Sequence, residues 1–247
     1  MRTTAGTLLG GRVSYVQPAD GYRTGIEPVL LAAAVPARPG ERVLEAGLGA
    51  GAGLLCLGAR VPGVLATGVE LDPAMADLAR ANLAANGLSD WPVITADITG
   101  LQLPARFDHA YANPPWHDPA GTPSANAGRL LAKQAQTAGL EGWVAALAQL
   151  LRPGGSLTLI LPAAAASRSL AALNGAGCGS IMLVPLWPKP LHAARLVILQ
   201  GLRDRRGPDQ ILPGLVLHRD DGSFTASAEE ILRQGCGLQT QADRQSC

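Results

Sequence analysis

The tetrapeptide Asn113-Pro114-Pro115-Trp116 follows the run FDHAYA and combines groups that could hold an amino nitrogen for alkylation. An amino group on a nucleobase or an amide is a poor nucleophile, because its lone pair is delocalised. Methyl transfer to it from a sulfonium needs that lone pair aimed along the S–CH3 axis. The Asn113 side-chain oxygen and the Pro114 carbonyl can each accept one N–H. Two acceptors would hold the amine, favour a pyramidal nitrogen and stabilise the positive charge that develops on it. Pro114 and Pro115 stiffen the backbone that presents the carbonyl. Trp116 offers a face for a planar target, a contact worth about 1–3 kcal/mol per base.

Three features upstream could hold the methyl donor. The run Glu45-Ala46-Gly47-Leu48-Gly49-Ala50-Gly51 follows an apolar strand pattern and precedes a helical one. Gly47 and Gly49 allow a sharp turn and a close approach of backbone to ligand. Such a loop alone is weak, because dinucleotide-binding proteins use a related one. Glu70, followed by Leu71, ends the next strand pattern, where a carboxylate can accept from both ribose hydroxyls. Asp97 ends the third, where it can take an exocyclic adenine amine while Ile98 packs on the ring. Acids at successive strand ends point to one crevice along the carboxyl edge of a sheet.

The elements that must position these groups alternate strand and helix. RVLEAG, VLATGVE, WPVITAD, FDHAYA and SLTLILP read as strands one to five, IMLVPLW and AARLVILQGL as six and seven. Between them lie helical patterns over 50–60, from Asp72-Pro73 to Asn86-Gly87, over 140–151 and over 163–174, with Arg152-Pro153-Gly154-Gly155 as a stop. Asp72 is suited to the N-cap with Pro73 at the first helical position. Residues 7–16 alternate around Gly10-Gly11 as a β-hairpin, followed by a helix over 26–35. ILPGLVLHRDDGSFT suggests a hairpin with its turn at Asp221-Gly222, and Ser227 and Glu230 have capping-box spacing for a last helix. The pattern predicts an α/β, Rossmann-like fold. Its seven-stranded sheet is mostly parallel with an antiparallel last strand, plus the N-terminal hairpin. A single domain is expected over 1–236, with 1–36 covering the site and 237–247 a flexible tail; residues 117–128 read as a long loop.

The chain has 247 residues, of which 47% are hydrophobic and 16% charged, enough for a packed core and unlike a disordered chain. Its net charge of +1 excludes a global attraction to nucleic acid, so RNA binding would need a local patch. Lys189, Arg195, Arg203, Arg205 and Arg206 cluster in sequence, and Lys189 and Arg195 are candidate substrate contacts. Arg129 and Lys133 are further phosphate candidates. The four cysteines form no CxxC pair and no cluster with His, so no metal is expected and reduced thiols are the default. Neither a signal-peptide pattern nor a membrane-spanning apolar run is present, which makes a cytoplasmic location the expectation.

The segment from about 40 to 165 resembles the class I S-adenosylmethionine (SAM)-dependent methyltransferases: strand-end Glu45 with its glycine loop, Glu70, Asp97 and the Leu151–Gly155 turn all match. Asn113–Trp116 is similar to that family's NPPY-type motif for amino methylation. The flanks LGGRVSYVQPADGYRTGIEPVLLAAAV and LPGLVLHRDDGSFT resemble the bacterial tRNA(Val) adenine-N6 methyltransferases. The resemblance implies SAM as cofactor, with Glu45, Gly47, Gly49, Glu70, Asp97 and Asn113 lining its pocket. It also implies that Tyr22, Arg23 and Thr24 close the pocket from above, and that tRNA is the partner. The sequence departs from the family in Glu45 for Asp, Leu48 for Cys and Trp116 for Tyr or Phe.

Other readings stay open at this point. The motif fits guanine N2 in rRNA or glutamine N5 in a protein equally well. A nicotinamide-dependent oxidoreductase would explain the glycine loop and Glu70 but leave the motif idle. A non-catalytic RNA-binding module would keep the fold alone. The oligomeric state is not legible.

Overall fold

A computed structural model describes residues 1–20, 24–104, 106–115 and 139–238. The N-terminal hairpin pairs β1 (Thr3–Leu8) antiparallel with β2 (Val13–Pro18), joined by a short turn at Leu9–Gly11. Then come α1 (Glu27–Ala34), β3 (Arg42–Ala46), α2 (Ala52–Arg60), β4 (Leu65–Glu70), α3 (Pro73–Ala85), β5 (Val93–Thr95) and β6 (Phe107–Ala112). After the undescribed stretch follow α4 (Gly139–Leu150), β7 (Leu151–Pro162), α5 (Ala166–Gly175), β8 (Cys178–Trp187) and β9 (Leu196–Arg203). Two short strands, β10 (Gln210–Ile211) and β11 (Leu215–Val216), and α6 (Ala226–Gln234) complete the described chain.

The central sheet runs β10-β8-β9-β7-β6-β3-β4-β5, with β11 also on β8. β9 is antiparallel to both β7 and β8, whereas the other neighbours are parallel. The seven expected strands and their one reversal are therefore observed, extended by the two short strands on the outer edge of β8. Two apolar cores lie on opposite faces of the sheet. One joins α1, α2 and α6 to the hairpin; the other is built from α4, α5 and the sheet. Their strands are buried on both faces, which explains the continuous apolar runs of RVLEA and SLTLILP. Among the described residues no helix is long and apolar enough to cross a membrane.

Local chemistry departs from expectation in four places. Asp72 caps α3 as expected, accepting from Ala74 N at 2.8 Å, but α6 is capped by Thr225, whose hydroxyl accepts from Ala228 N at 3.2 Å. Ser227 falls inside that helix, so the expected capping box is not formed. Arg152–Gly155 do not separate helix from strand. They bulge out of β7 between the partner pairs Phe107–Leu151 and His109–Ser156. Only the tip of the expected C-terminal hairpin forms, as a bridge of His218 to Phe224, while residues 210–216 pair in parallel with β8 instead. Cys56 and Cys178 are free and buried, but Cys236 is disulfide-bonded, against the expectation of reduced thiols throughout.

Candidate active site at the carboxyl edge

The register of three strands assembles the site. Ala46 pairs with Val69 on β4 and with Ala112 on β6. Gly47, Glu70 and Asn113, the next residues of each strand or its last, therefore stand side by side. Glu70 pairs with Thr95, and Ala96 N donates to Glu70 O at 3.0 Å, which brings Leu71, Asp97 and Ile98 to the same edge.

The turn after β3 needs its glycines. Gly47, Gly49 and Gly51 have φ of +69°, +57° and +92°, a region costly for side-chain-bearing residues. A Cβ on Gly47 would also stand 3.1 Å from the Trp143 ring. Trp143 on α4 thus packs against this turn, and its buried indole N–H has no hydrogen-bond partner among the described residues. Gly47 N and Leu48 N both donate to Val69 O, at 2.9 and 3.1 Å. The Leu48 side chain is buried over Gly68, where any Cβ would collide with it at 2.5 Å. That contact accounts for the apolar residue between the glycines.

Glu70 is half-buried. One carboxylate oxygen accepts from Gly49 N at 2.8 Å and the other from Asp72 N at 2.9 Å. A carboxylate offers about four acceptor sites, so both oxygens can still take a diol. Asp97 accepts from Thr99 N and Thr99 Oγ at one oxygen, Oδ1, at 2.9 and 2.8 Å. Its Oδ2 is the oxygen left for a further donor such as an adenine amine. Ile98 is buried in the α4-side core. This set of open glycine turn, fixed carboxylate and second acid fits an adenosyl group.

Glu45 faces elsewhere. The residue is 5% exposed, and its carboxylate accepts from the Tyr111 hydroxyl at 3.0 Å and from Leu54 N in the first turn of α2, and lies where a Cβ on Gly53 would sit. Burial pushes its pKa up to about 8, outweighing those hydrogen bonds. Tyr111 and Cys56 are raised as well, chiefly by burial, with the neighbouring carboxylate adding to the shift. Glu45 therefore supports the glycine turn from beneath.

Asn113 is exposed, Pro114 buried and Pro115 exposed. Trp116, Arg129 and Lys133 lie outside the described residues, as do Tyr22 and Arg23. Thr24 is described: its hydroxyl meets Tyr15 OH at 2.7 Å and its N–H donates to Gln17 Oε1 at 3.0 Å, fixing it to β2. The basic cluster is divided by the reversal of β9. Lys189 and Arg195 flank the β8–β9 turn at the carboxyl edge, whereas Arg203, Arg205 and Arg206 fall at the opposite edge, where a Cβ on Gly154 would stand 3.7 Å from the Arg205 guanidinium. His109, near the motif in sequence, is buried on β6 between Ser156 Oγ (2.8 Å) and Glu41 (2.9 Å), a structural position. Among the described residues no group of His, Cys, Asp and Glu could hold a metal ion.

A family model described as a methyltransferase domain matches residues 43–155. A tRNA1(Val) (adenine(37)-N6)-methyltransferase of Dickeya chrysanthemi is 30% identical over 85% of this chain and 86% of its own. The one from Porphyromonas gingivalis is 35% identical over 59% of this chain, and the match spans only 61% of that relative's length. Among solved structures, a predicted O-methyltransferase from Agrobacterium tumefaciens superposes with a TM-score of 0.69 at 23% identity, over 87% of this chain and 99% of its own. At that identity the likeness speaks for the fold alone, and the fold is the one derived above. Taken with the strand-end acids, the glycine turn and the neighbouring Asn-Pro-Pro, these matches mean that the chain belongs to the family of bacterial tRNA1(Val) (adenine(37)-N6)-methyltransferases.

Proposed function

We propose that the chain transfers a methyl group from SAM to the exocyclic N6 of an adenine in tRNA, beside the anticodon. The observation that carries this reading is the pairing of Ala46 with Ala112, which makes Gly47 and Asn113 neighbours across one strand spacing. When bound, SAM supplies an electrophilic methyl group on a sulfonium. Glu70 would take the ribose hydroxyls, with Leu71 beside them. Asp97 would take the adenine amine with Ile98 behind the ring, and the Gly47–Gly49 turn would admit the methionine end. Thr24, tied to β2, supports a covering role for residues 1–36, in which Tyr22 and Arg23 would share.

On the substrate side, Asn113 Oδ1 and the Pro114 carbonyl accept the two N–H bonds of the target amine. That fixes the nitrogen lone pair towards the methyl group and stabilises the cation formed on transfer. The proton can leave afterwards to water, so no general base is required. Trp116 is the proposed stacking face for the flipped base. Guanine N2 or glutamine N5 would satisfy the same two acceptors; the relatives' shared name favours adenine N6 in tRNA. An oxidoreductase or a non-catalytic RNA-binding module would leave Asn113 without a task.

The test is mass spectrometry of nucleosides from total tRNA with and without the gene. N6-methyladenosine should disappear from the deletion strain and return on complementation. Unchanged tRNA nucleosides would refute the tRNA assignment. A methyl group lost instead from rRNA guanine or protein glutamine would move the activity to that substrate.

A further inference from the structure

The turn between β8 and β9 carries a feature that the methyl-transfer site does not use. Leu191, at its tip, has φ of +60° and a fully solvent-exposed side chain. An apolar residue in the left-handed region is strained, and glycine would take the same backbone at lower cost. Full exposure means that its side chain returns nothing to the fold by burial. Strain of this kind persists where function requires the side chain.

The turn is braced. His192 N donates to Lys189 O at 3.3 Å, closing it. The following segment holds it from the side: Leu217 N donates to Trp187 O at 2.8 Å, His218 N to Pro188 O at 3.1 Å, and Lys189 Nζ to Asp220 O at 2.9 Å. Trp187 Nε1 donates to Pro213 O at 3.2 Å. The C-terminal segment thus holds Leu191 in place before any partner arrives, which lowers the ordering cost of a contact. Lys189, Arg195 and Arg219 lie around the turn with Asp220 and Asp221, leaving a modest positive excess.

The turn shares the carboxyl edge with Asn113. β9 and β8 are the second and third strands from β6. At about 4.8 Å per strand, the turn lies roughly 10–15 Å along that edge from Asn113. Stacked nucleotides rise about 3.4 Å each, so a strand seated with its target at Asn113 reaches the turn within a few nucleotides.

We infer that the Pro188–His192 turn is an RNA-positioning element. Leu191 wedges against a base a few nucleotides from the methylated one, and Lys189 and Arg195 take the flanking phosphates. Apolar side chains inserted at base steps are an established means of seating nucleic acid, and the Lys189 ammonium keeps two of its three donors for phosphate. The inference rests on the tRNA reading above and adds the surface by which the RNA is aligned.

The experiment compares wild type, Leu191→Ala and Leu191→Gly on an unmodified tRNA1(Val) transcript. Leu65→Ala serves as control, an exposed leucine at the amino end of β4. Both Leu191 variants should raise KM for the transcript about 5- to 20-fold, with kcat and the SAM dissociation constant within about twofold. Leu191→Gly should melt at or above the wild-type temperature, because its backbone strain is relieved. Leu65→Ala should match wild type throughout. Leu191 variants with wild-type KM would overturn the inference while leaving the tRNA reading intact. A wild type that binds SAM yet methylates no transcript would overturn both.

Discussion

Asn82 on α3 and Asn86, which caps that helix one turn later, give β2 the hydrogen bonds of a neighbouring strand. Asn82 exchanges two bonds with the backbone of Val16, at 3.0 and 2.8 Å, and Asn86 two with Ser14, at 3.0 and 2.8 Å. Four helical residues rise about 6 Å and two strand residues about 6.8 Å, so side-chain amides at i and i+4 meet alternate strand residues. Asn82 Nδ2 also donates to Ala50 O at 2.8 Å, tying the hairpin to the glycine turn. Replacing buried Asn82 with Leu would leave these backbone groups unpaired, at about 1–3 kcal/mol for a buried group. Urea denaturation should show a loss of about 2–4 kcal/mol for buried Asn82→Leu and about 1 kcal/mol for half-buried Asn86→Ala. Equal losses would mean that burial of the amide is not what matters.

Gly47→Ala should be more damaging than its positive φ explains. Gly87→Ala provides the comparison: it has a similar φ of +75° but nothing within 4 Å of a new Cβ, while Gly47 meets Trp143 at 3.1 Å. Both variants should lose about 1 kcal/mol to the backbone. Gly47→Ala alone should also weaken SAM binding by about tenfold or more in calorimetry, as displacement of the turn costs at least 1.4 kcal/mol or so. Equal SAM affinity in the two variants would remove Gly47 from the pocket.

Asn113→Ala should separate binding from turnover. The exposed amide makes its proposed contacts with the target amine, so kcat should fall about 10²–10³-fold, the usual cost of one transition-state hydrogen bond. SAM affinity should stay within a few-fold. A turnover rate within a few-fold of wild type would refute the two-acceptor scheme.

Glu45 should make stability depend on pH. Its carboxyl is raised from 4.5 to about 8 in the fold, chiefly by burial. The folded state therefore holds a proton that the unfolded state has released. This contribution is complete below pH 4.5 and declines as pH rises towards 8. Glu45→Gln cannot ionise, so its stability relative to wild type should rise across that window, by a few kcal/mol at most at about 1.4 per pH unit. Parallel denaturation midpoints at pH 5 and pH 8 would show that Glu45 does not titrate in this way.

His109 should act in the opposite sense. Burial holds its pKa below the ordinary 6.5, although Glu41 and Asp108 pull it upwards. The unfolded chain thus protonates first, and stability present above pH 6.5 is lost as pH falls through the folded pKa. In His109→Gln the absolute stability should be lower but this acid-side decline should be absent. Thermal melts at pH 5 and pH 7.5 measure it, and an undiminished decline in the variant would assign it to other groups.

The strand ends were the legible part of the sequence. Glu70, Asp97 and Asn113 each follow a short apolar run, and a parallel sheet leaves little choice about which edge such residues share. The turn glycines were legible for the same reason. Glu45 was harder: its position was correct, but the longer side chain reaches under α2 into space left by Gly53, a contact no local pattern records. Asn82 falls within the helical pattern that begins at Asp72-Pro73 and Asn86 at its Asn86-Gly87 end, and nothing in that pattern names β2 as their partner. The basic cluster misled because sequence proximity ignores the reversal at β9, which sends Lys189 and Arg203 to opposite ends of the sheet. Thr225 rather than Ser227 is the cap, and its hydroxyl also donates to Val216 O at 2.7 Å, a tie to β11 that the local spacing does not record.

The sheet also ends abruptly on both sides. β5 has three residues and β10 two, while the ten-residue β8 lies inside, covered in part by β10 and β11 with Pro213-Gly214 between them. Short outer strands offer little template for backbone pairing with another molecule. A polypeptide this rich in Leu, Val and Ile thus leaves little exposed sheet edge on which a copy of itself could add a strand.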